Sequence, residues 1–159
     1  MTRARVQQYI RCFQELTPDN LPSLLACFSE RARFVDPFND VRGKAAIRGI
    51  FEHMFARCEA PRFTVEECVG EDKAYYLRWR FSFGARKSRQ LLCGVSRVQF
   101  GSDGRVVEHL DYWDPAGQLY EKIPIVAGLM RALRRRLEAP QTAGEFVVEP
   151  EQVAATEKR

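Results

Sequence analysis

The sequence predicts an α+β fold in which one sheet curls its inner face over N-terminal helices, with a further helix near the C-terminus. Three observations lead there. Two stretches, 3–16 and 43–58, repeat apolar residues at helical spacing. Four runs from Phe63 to Asp114 alternate apolar and polar residues and are joined by turn residues, the pattern of hairpin-linked strands. The length of 159 residues suits a single domain able to bury its own core.

Val6, Tyr9, Ile10, Phe13 and Leu16 form one stripe of the first helix, with Arg3, Gln7, Arg11 and Glu15 opposite. Thr17-Pro18-Asp19-Asn20 breaks it, and Asp19 or Asn20 is placed to cap a short second helix running to about Phe28. Arg31 to Asp36 alternates as a strand that Pro37 stops, and Phe38-Asn39-Asp40 is turn material. A third helix follows Gly43, with Ala46, Ile47, Ile50, Phe51, Met54 and Phe55 on one face. Strands are expected at Phe63–Val69, Ala74–Phe83, Gln90–Phe100 and Arg105–Asp114. The second is the clearest: Tyr75, Leu77, Trp79, Phe81 and Phe83 share one side, leaving Arg78 and Arg80 outward.

Composition narrows the functional classes. Hydrophobic residues make up 45% and charged residues 29%, values of a soluble globular chain. No apolar run approaches the ~18 residues of a membrane span, and the first residues carry no signal-peptide core, so a cytoplasmic location is expected. The net charge of +4 is too mild to predict nucleic-acid binding. Cys12, Cys27, Cys58, Cys68 and Cys93 include no CxxC pair and sit within apolar periodicity, so they read as small buried hydrophobes. Zinc would want three convergent ligands, so no metal is expected.

The last strand carries the chemistry. Val107, His109, Asp111 and Trp113 alternate onto one face: an apolar foot, an imidazole, a carboxylate and an indole in line. A solvent face would not favour the Trp, nor a plain core the His and Asp, but a lined pocket suits all four. His109 and Asp111 lie roughly 7 Å apart along the strand, a spacing suited to sharing a ligand or water. His53, between Glu52 and Met54, reads as structural or exposed.

Val6-Gln7-Gln8-Tyr9, the run Cys27 to Pro37 and Gly43-Lys44-Ala45-Ala46-Ile47-Arg48 resemble the nuclear transport factor 2-like superfamily, above all its ketosteroid isomerase and SnoaL-like polyketide cyclase branches. The resemblance spans roughly residues 3–114. It implies a cone: a strongly bent mixed or antiparallel sheet wrapped around three N-terminal helices, with a pocket between them. Carried over by position, it makes Tyr9 a phenol donor and Asp36 the proton-abstracting carboxylate. Against Phe34, Phe38 and Trp79, that carboxylate would be desolvated as a general base needs. The second oxyanion donor, an acid in the isomerases, falls on Ser96, which makes steroid isomerisation as such a poor match. His109 and Asp111 resemble the acid/base pair of the cyclases. Trp79, Phe81, Trp113 and Phe55 would wall a flat apolar ligand.

The expected activity is therefore cofactor-free acid/base chemistry, with Asp36 or His109 removing a proton beside a carbonyl of a small apolar substrate. An epoxide hydrolase-like activation of water would use similar parts. The alternative is a non-catalytic binding domain for a lipid-like or polyketide-like ligand, or a dimeric interaction domain. A hollow into which both Asp36 and His109 project would favour the enzyme, whereas their separation by packed aromatics would favour the binding domain. The outward Leu91, Cys93 and Val95, together with the resemblance, point to a homodimer through the sheet's outer face.

Beyond the cone domain (1–117), residues 118–138 carry five Arg/Lys against two Glu. Pro124 suits a helix start, and Val126, Met130, Leu133 and Leu137 form a stripe beside Arg131, Arg134, Arg135 and Arg136. This helix has three readings: a lid or packing element, a dimer contact, or a weak contact with an anionic membrane surface. Residues 139–159 read as a loosely attached tail, with Glu145-Phe146-Val147-Val148 offering one short strand.

Overall fold

Helix α1 (Thr2–Gln14) buries Val6, Tyr9 and Phe13, the stripe its spacing predicts. The computed structural model describes residues 2–137; the tail and its short strand lie outside the described residues. Helix α2 (Leu21–Ala26) is about 1.7 turns long and buries Leu21, Leu24 and Leu25. Asn20 does not cap it through its side chain; its Oδ1 accepts instead from the Thr17 amide at 2.7 Å and closes the preceding turn.

Strand β1 (Phe28–Val35) starts three residues earlier than the alternation suggests, and its Phe28, Ala32 and Phe34 are buried. The expected turn gives way at once to a short strand β2 (Asp40–Arg42), antiparallel to β1 and held by Arg33 on Asp40 at 2.7 Å. Gly43, at φ +91, then redirects the chain into α3 (Lys44–Arg57), a backbone angle that few side chains tolerate. Strands β3 (Arg62–Glu71), β4 (Ala74–Phe83), β5 (Gln90–Phe100) and β6 (Val106–Tyr112) follow.

The sheet is open and six-stranded, in the order β2-β1-β6-β5-β4-β3. It is mixed rather than wholly antiparallel, because β6 runs parallel to β1, with Phe34 opposite His109. That pairing joins the chain's two most distant strands and brings the first and last candidate residues to one region. Helices α1, α2 and α3 cover the concave side, and Tyr75, Leu77, Trp79 and Phe81 of β4 point into the core as expected.

Two local features depart from the alternation. Between Gln99/Phe100 and Val106/Glu108 the ladder slips by one residue, so Val107 is bulged and Val106 takes the buried place at the foot of β6. The cysteines are not buried hydrophobes: Cys68 and Cys93 are exposed and the other three partly so. Cys93 alternates away from buried Leu92, and Cys68 lies in the half of β3 that runs past the core.

Gly94 is needed for close approach. A Cβ there would fall 2.5 Å from the Trp79 ring and 2.9 Å from the Tyr112 carbonyl. Gly94→Ala is expected to cost about 1–3 kcal/mol by overpacking and to alter tryptophan emission, both readable in a urea titration followed by fluorescence.

After β6 the chain forms α4 (Pro115–Gln118), a single turn at Tyr120–Lys122 and α5 (Pro124–Leu137). Gln118 docks this extension on the sheet. Its Oε1 accepts from the Cys93 amide at 2.6 Å and its Nε2 donates to the Cys93 carbonyl at 2.9 Å, replacing the strand neighbour that β5 lacks beyond Tyr112.

Candidate functional site

The mixed sheet sets His109, Asp111, Ser96 and Trp79 side by side. Cross-strand register places Ser96 opposite Asp111 and Val98 opposite His109, while Trp79 comes from the next strand. His109 and Asp111 are not separated by the full strand spacing: His109 Nε2 lies 2.8 Å from Asp111 Oδ1. On its other side, His109 Nδ1 is 2.8 Å from the Tyr9 hydroxyl. Trp79 Nε1 donates to Ser96 Oγ at 2.7 Å, and Ser96 in turn donates to Asp111 Oδ1.

These bonds have one consistent direction. Tyr9 O–H donates to Nδ1, Nε2–H donates to Asp111, and the indole and serine donate from the other flank. Two donor chains thus end on one oxygen, in the arrangement that places a ring proton on Nε2. Among the described residues no protein donor reaches Asp111 Oδ2. Burial pushes the Tyr9 phenol well above its ordinary range, and the Asp111 charge adds to the effect, which keeps the hydroxyl protonated and able to donate.

Packing fixes the imidazole. His109 is 2% exposed and stacks on Phe34 (centroids 4.6 Å, interplanar 3°) and on Phe13 (5.7 Å, 14°). Tyr9 is wholly buried among Phe13, Phe28 and Phe100.

Two cavities meet at Asp111. An inner one of about 40 Å³ touches His109, Asp111 and Ser96 and is otherwise lined by aromatic and aliphatic side chains. The outer one, of about 430 Å³, is walled by Phe34, Trp79, Phe81, Trp113 and their neighbours. Its polar lining comes from Asp36, Asn39, His53, Arg57 and Asp111.

The expected site residues therefore separate. Asp111, Trp79, Phe81 and Trp113 border the outer cavity, whereas His109 and Ser96 border only the inner one and Tyr9 borders neither. Asp36 and His109 do not open on one hollow; Asp111 is the carboxylate that borders both cavities, alongside Phe34, Phe51, Phe63 and Trp79. The Tyr9 and Ser96 hydroxyls are already engaged within the protein, so neither stands as an uncommitted donor to a ligand. Asp36 borders the outer cavity, but its Oδ1 accepts from the Phe38 amide (2.7 Å), the Asn39 amide (2.8 Å) and Asn39 Nδ2 (2.9 Å). It ties the β1–β2 turn rather than lying bare against aromatics. Phe55 packs on the core and borders neither cavity; α3 turns Ile50, Phe51, His53, Met54 and Arg57 to the outer one instead.

His53, which the sequence reads as structural or exposed, is thus a cavity residue, together with Arg57 and Asn39, for which the sequence offers no site role. The signal available was the four-residue spacing of His53 and Arg57, which puts both on one helix face. Among the described residues no three His, Cys, Asp or Glu side chains stand together as a metal-binding set.

A family model described as a SnoaL-like domain matches residues 6–109. No curated protein matches the chain. Among solved structures, an NTF2-like protein of unknown function from Exiguobacterium sp. 255-15 is 16% identical with a TM-score of 0.60, the match covering 69% of this chain and 98% of that one. A hypothetical protein with a ketosteroid isomerase-like fold from Catenulispora acidiphila, in complex with trimethylamine, is 13% identical with a TM-score of 0.63, covering 75% and 92%. RV0760c from Mycobacterium tuberculosis, in complex with estradiol-17beta-hemisuccinate, is 15% identical with a TM-score of 0.58, covering 71% and 93%. At these identities the likeness is one of fold.

Proposed function

The chain belongs to the SnoaL-like domain family, within the NTF2-like superfamily, and we propose that it performs cofactor-free proton transfer on a small apolar carbonyl compound bound in the outer cavity. The observation that carries this reading is the convergence of both donor chains on Asp111 Oδ1, leaving Oδ2 without a protein partner at the edge of an apolar cavity. Asp111 is the base. It takes a proton from the carbon beside the carbonyl, the C–H pair passes into the enolate, and the same oxygen returns the proton at a different carbon. Isomerisation or ring closure are the outcomes open to such an enolate.

His109 holds the carboxylate in place through Nε2–H, and Tyr9 fixes the imidazole's tautomer. Both are positioning residues rather than groups that meet the substrate. Asp36 shapes the mouth through its turn. Enolate stabilisation falls to the cavity-lining donors that have no hydrogen-bond partner among the described residues, His53 and Arg57 on α3. The cavity volume of about 430 Å³ lies in the range of small-ligand sites, and the steroid ester held by the M. tuberculosis neighbour supports an apolar ligand of this kind. Homodimerisation through the outer sheet face is part of the same reading, supported by exposed Tyr76, Leu91 and Tyr112.

A second reading, ligand binding without catalysis, draws on the engagement of Tyr9 and Ser96, which removes the two donors the isomerase pattern would use, and on Asp36 and His109 bordering different cavities. Incubation of the protein with a β,γ-unsaturated ketone in heavy water separates the two. Deuterium uptake beside the carbonyl, above the buffer rate, is the expected result. Saturable binding with uptake at the buffer rate would establish the binding-only alternative.

A further inference from the structure

Helix α5 carries an apolar face that the rest of the described chain does not cover. Leu129, Leu133 and Leu137 are 67%, 51% and 78% exposed, although they lie four residues apart and so fall within an arc of about 80° on one side of the helix. The side packed on the protein adjoins it, and Leu133 and Leu137 border an open groove beside Ala116 and Glu121. Ala127 is 4% exposed, and Arg134 reaches Glu121 of the preceding turn at 2.6 Å.

Charge identifies the partner. Arg131, Arg134, Arg135 and Arg136 are exposed, and no Asp or Glu occurs between Pro124 and Leu137. At 100° per residue, Arg136 borders the leucine arc on one side, where a long basic side chain lies over an apolar layer and reaches its charged boundary, while Arg134 borders the other side and is paired with Glu121. A second copy of this chain would bring the same arginines to the contact with no acidic residue on the helix to answer them. An anionic lipid surface offers both an apolar layer for the leucines and negative headgroups for the arginines.

We propose that α5 docks the protein on anionic membrane surfaces, lying in the interface rather than crossing it; no described helix is long and apolar enough to span. The same extension supplies Leu119 to the outer cavity wall, five residues before α5 begins. An apolar ligand could therefore be drawn from the lipid phase. The docking itself does not depend on the catalytic reading.

Sedimentation of the full chain with unilamellar vesicles tests it. The expected result is binding to phosphatidylcholine vesicles containing phosphatidylglycerol, at least about tenfold weaker binding to phosphatidylcholine alone, and weakening in high salt. Substitution of Leu129, Leu133 and Leu137 by Gln, and separately of the four arginines by Gln, should each reduce binding at least about tenfold while circular dichroism stays folded. Equal binding to both vesicle types, no binding, or variants that bind unchanged would overturn the proposal. So would light scattering that shows a dimer lost in the leucine variant, since a second copy would then cover the face.

Discussion

Asp111→Asn is expected to lower deuterium uptake and isomerisation by about 10²–10⁴-fold, the range a positioned general base supplies, with little change in ligand affinity or unfolding midpoint. The split follows from the geometry. The amide keeps the shape of the carboxylate, and its oxygen can still accept from His109 Nε2 and from Ser96 Oγ, so the buried donors remain satisfied. What it cannot do is accept a proton from the substrate, because a carboxamide is not a base at neutral pH. A base role predicts loss in kcat with KM nearly unchanged. If the variant instead bound ligand poorly or unfolded early while retaining turnover per bound ligand, Asp111 would be a structural acceptor and the proposed chemistry would need another base.

The parts of this site that were legible in the sequence are those set by alternation along one strand. Period two put Trp79 and Phe81 inward on β4 and placed His109 with Asp111 on the inner face of β6. What was not legible depends on how strands meet. That Ser96 faces Asp111, with Trp79 beyond it, is a matter of register, and the bulge at Val107 alters that register where alternation predicts continuity. The parallel pairing of β1 with β6 joins residues some 75 positions apart in sequence, such as Phe34 and His109, and no local pattern encodes it. Helix α3 illustrates a subtler limit. Its apolar positions are broad enough to allow either Phe55 or His53 to face the cavity, and packing against β1 and α2 decides which. The resemblance makes Asp36 a base desolvated by its apolar neighbours, but the turn amides two and three residues on claim its oxygen first.

The largest stability effect is expected at His109. His109→Leu retains apolar bulk against Phe34 and Phe13 but leaves the wholly buried Tyr9 hydroxyl without its acceptor and removes one donor from Asp111. Each unsatisfied buried group costs about 1–3 kcal/mol, so a loss of about 3 kcal/mol is expected from urea unfolding. Tyr9→Phe alone leaves only Nδ1 unanswered and should cost about 1–2 kcal/mol. Combining them removes both ends of the bond, so the double variant should be less destabilised than the sum of the singles, by about 1–2 kcal/mol of coupling. That sign is the decisive feature. Additive costs would mean that the Tyr9–His109 contact contributes nothing of its own, and the tautomer that aims Nε2–H at Asp111 would then lack its determinant. With coupling of the expected sign, the imidazole is held from behind by a phenol that burial keeps protonated, and the carboxylate it supports is free to work at the cavity's edge.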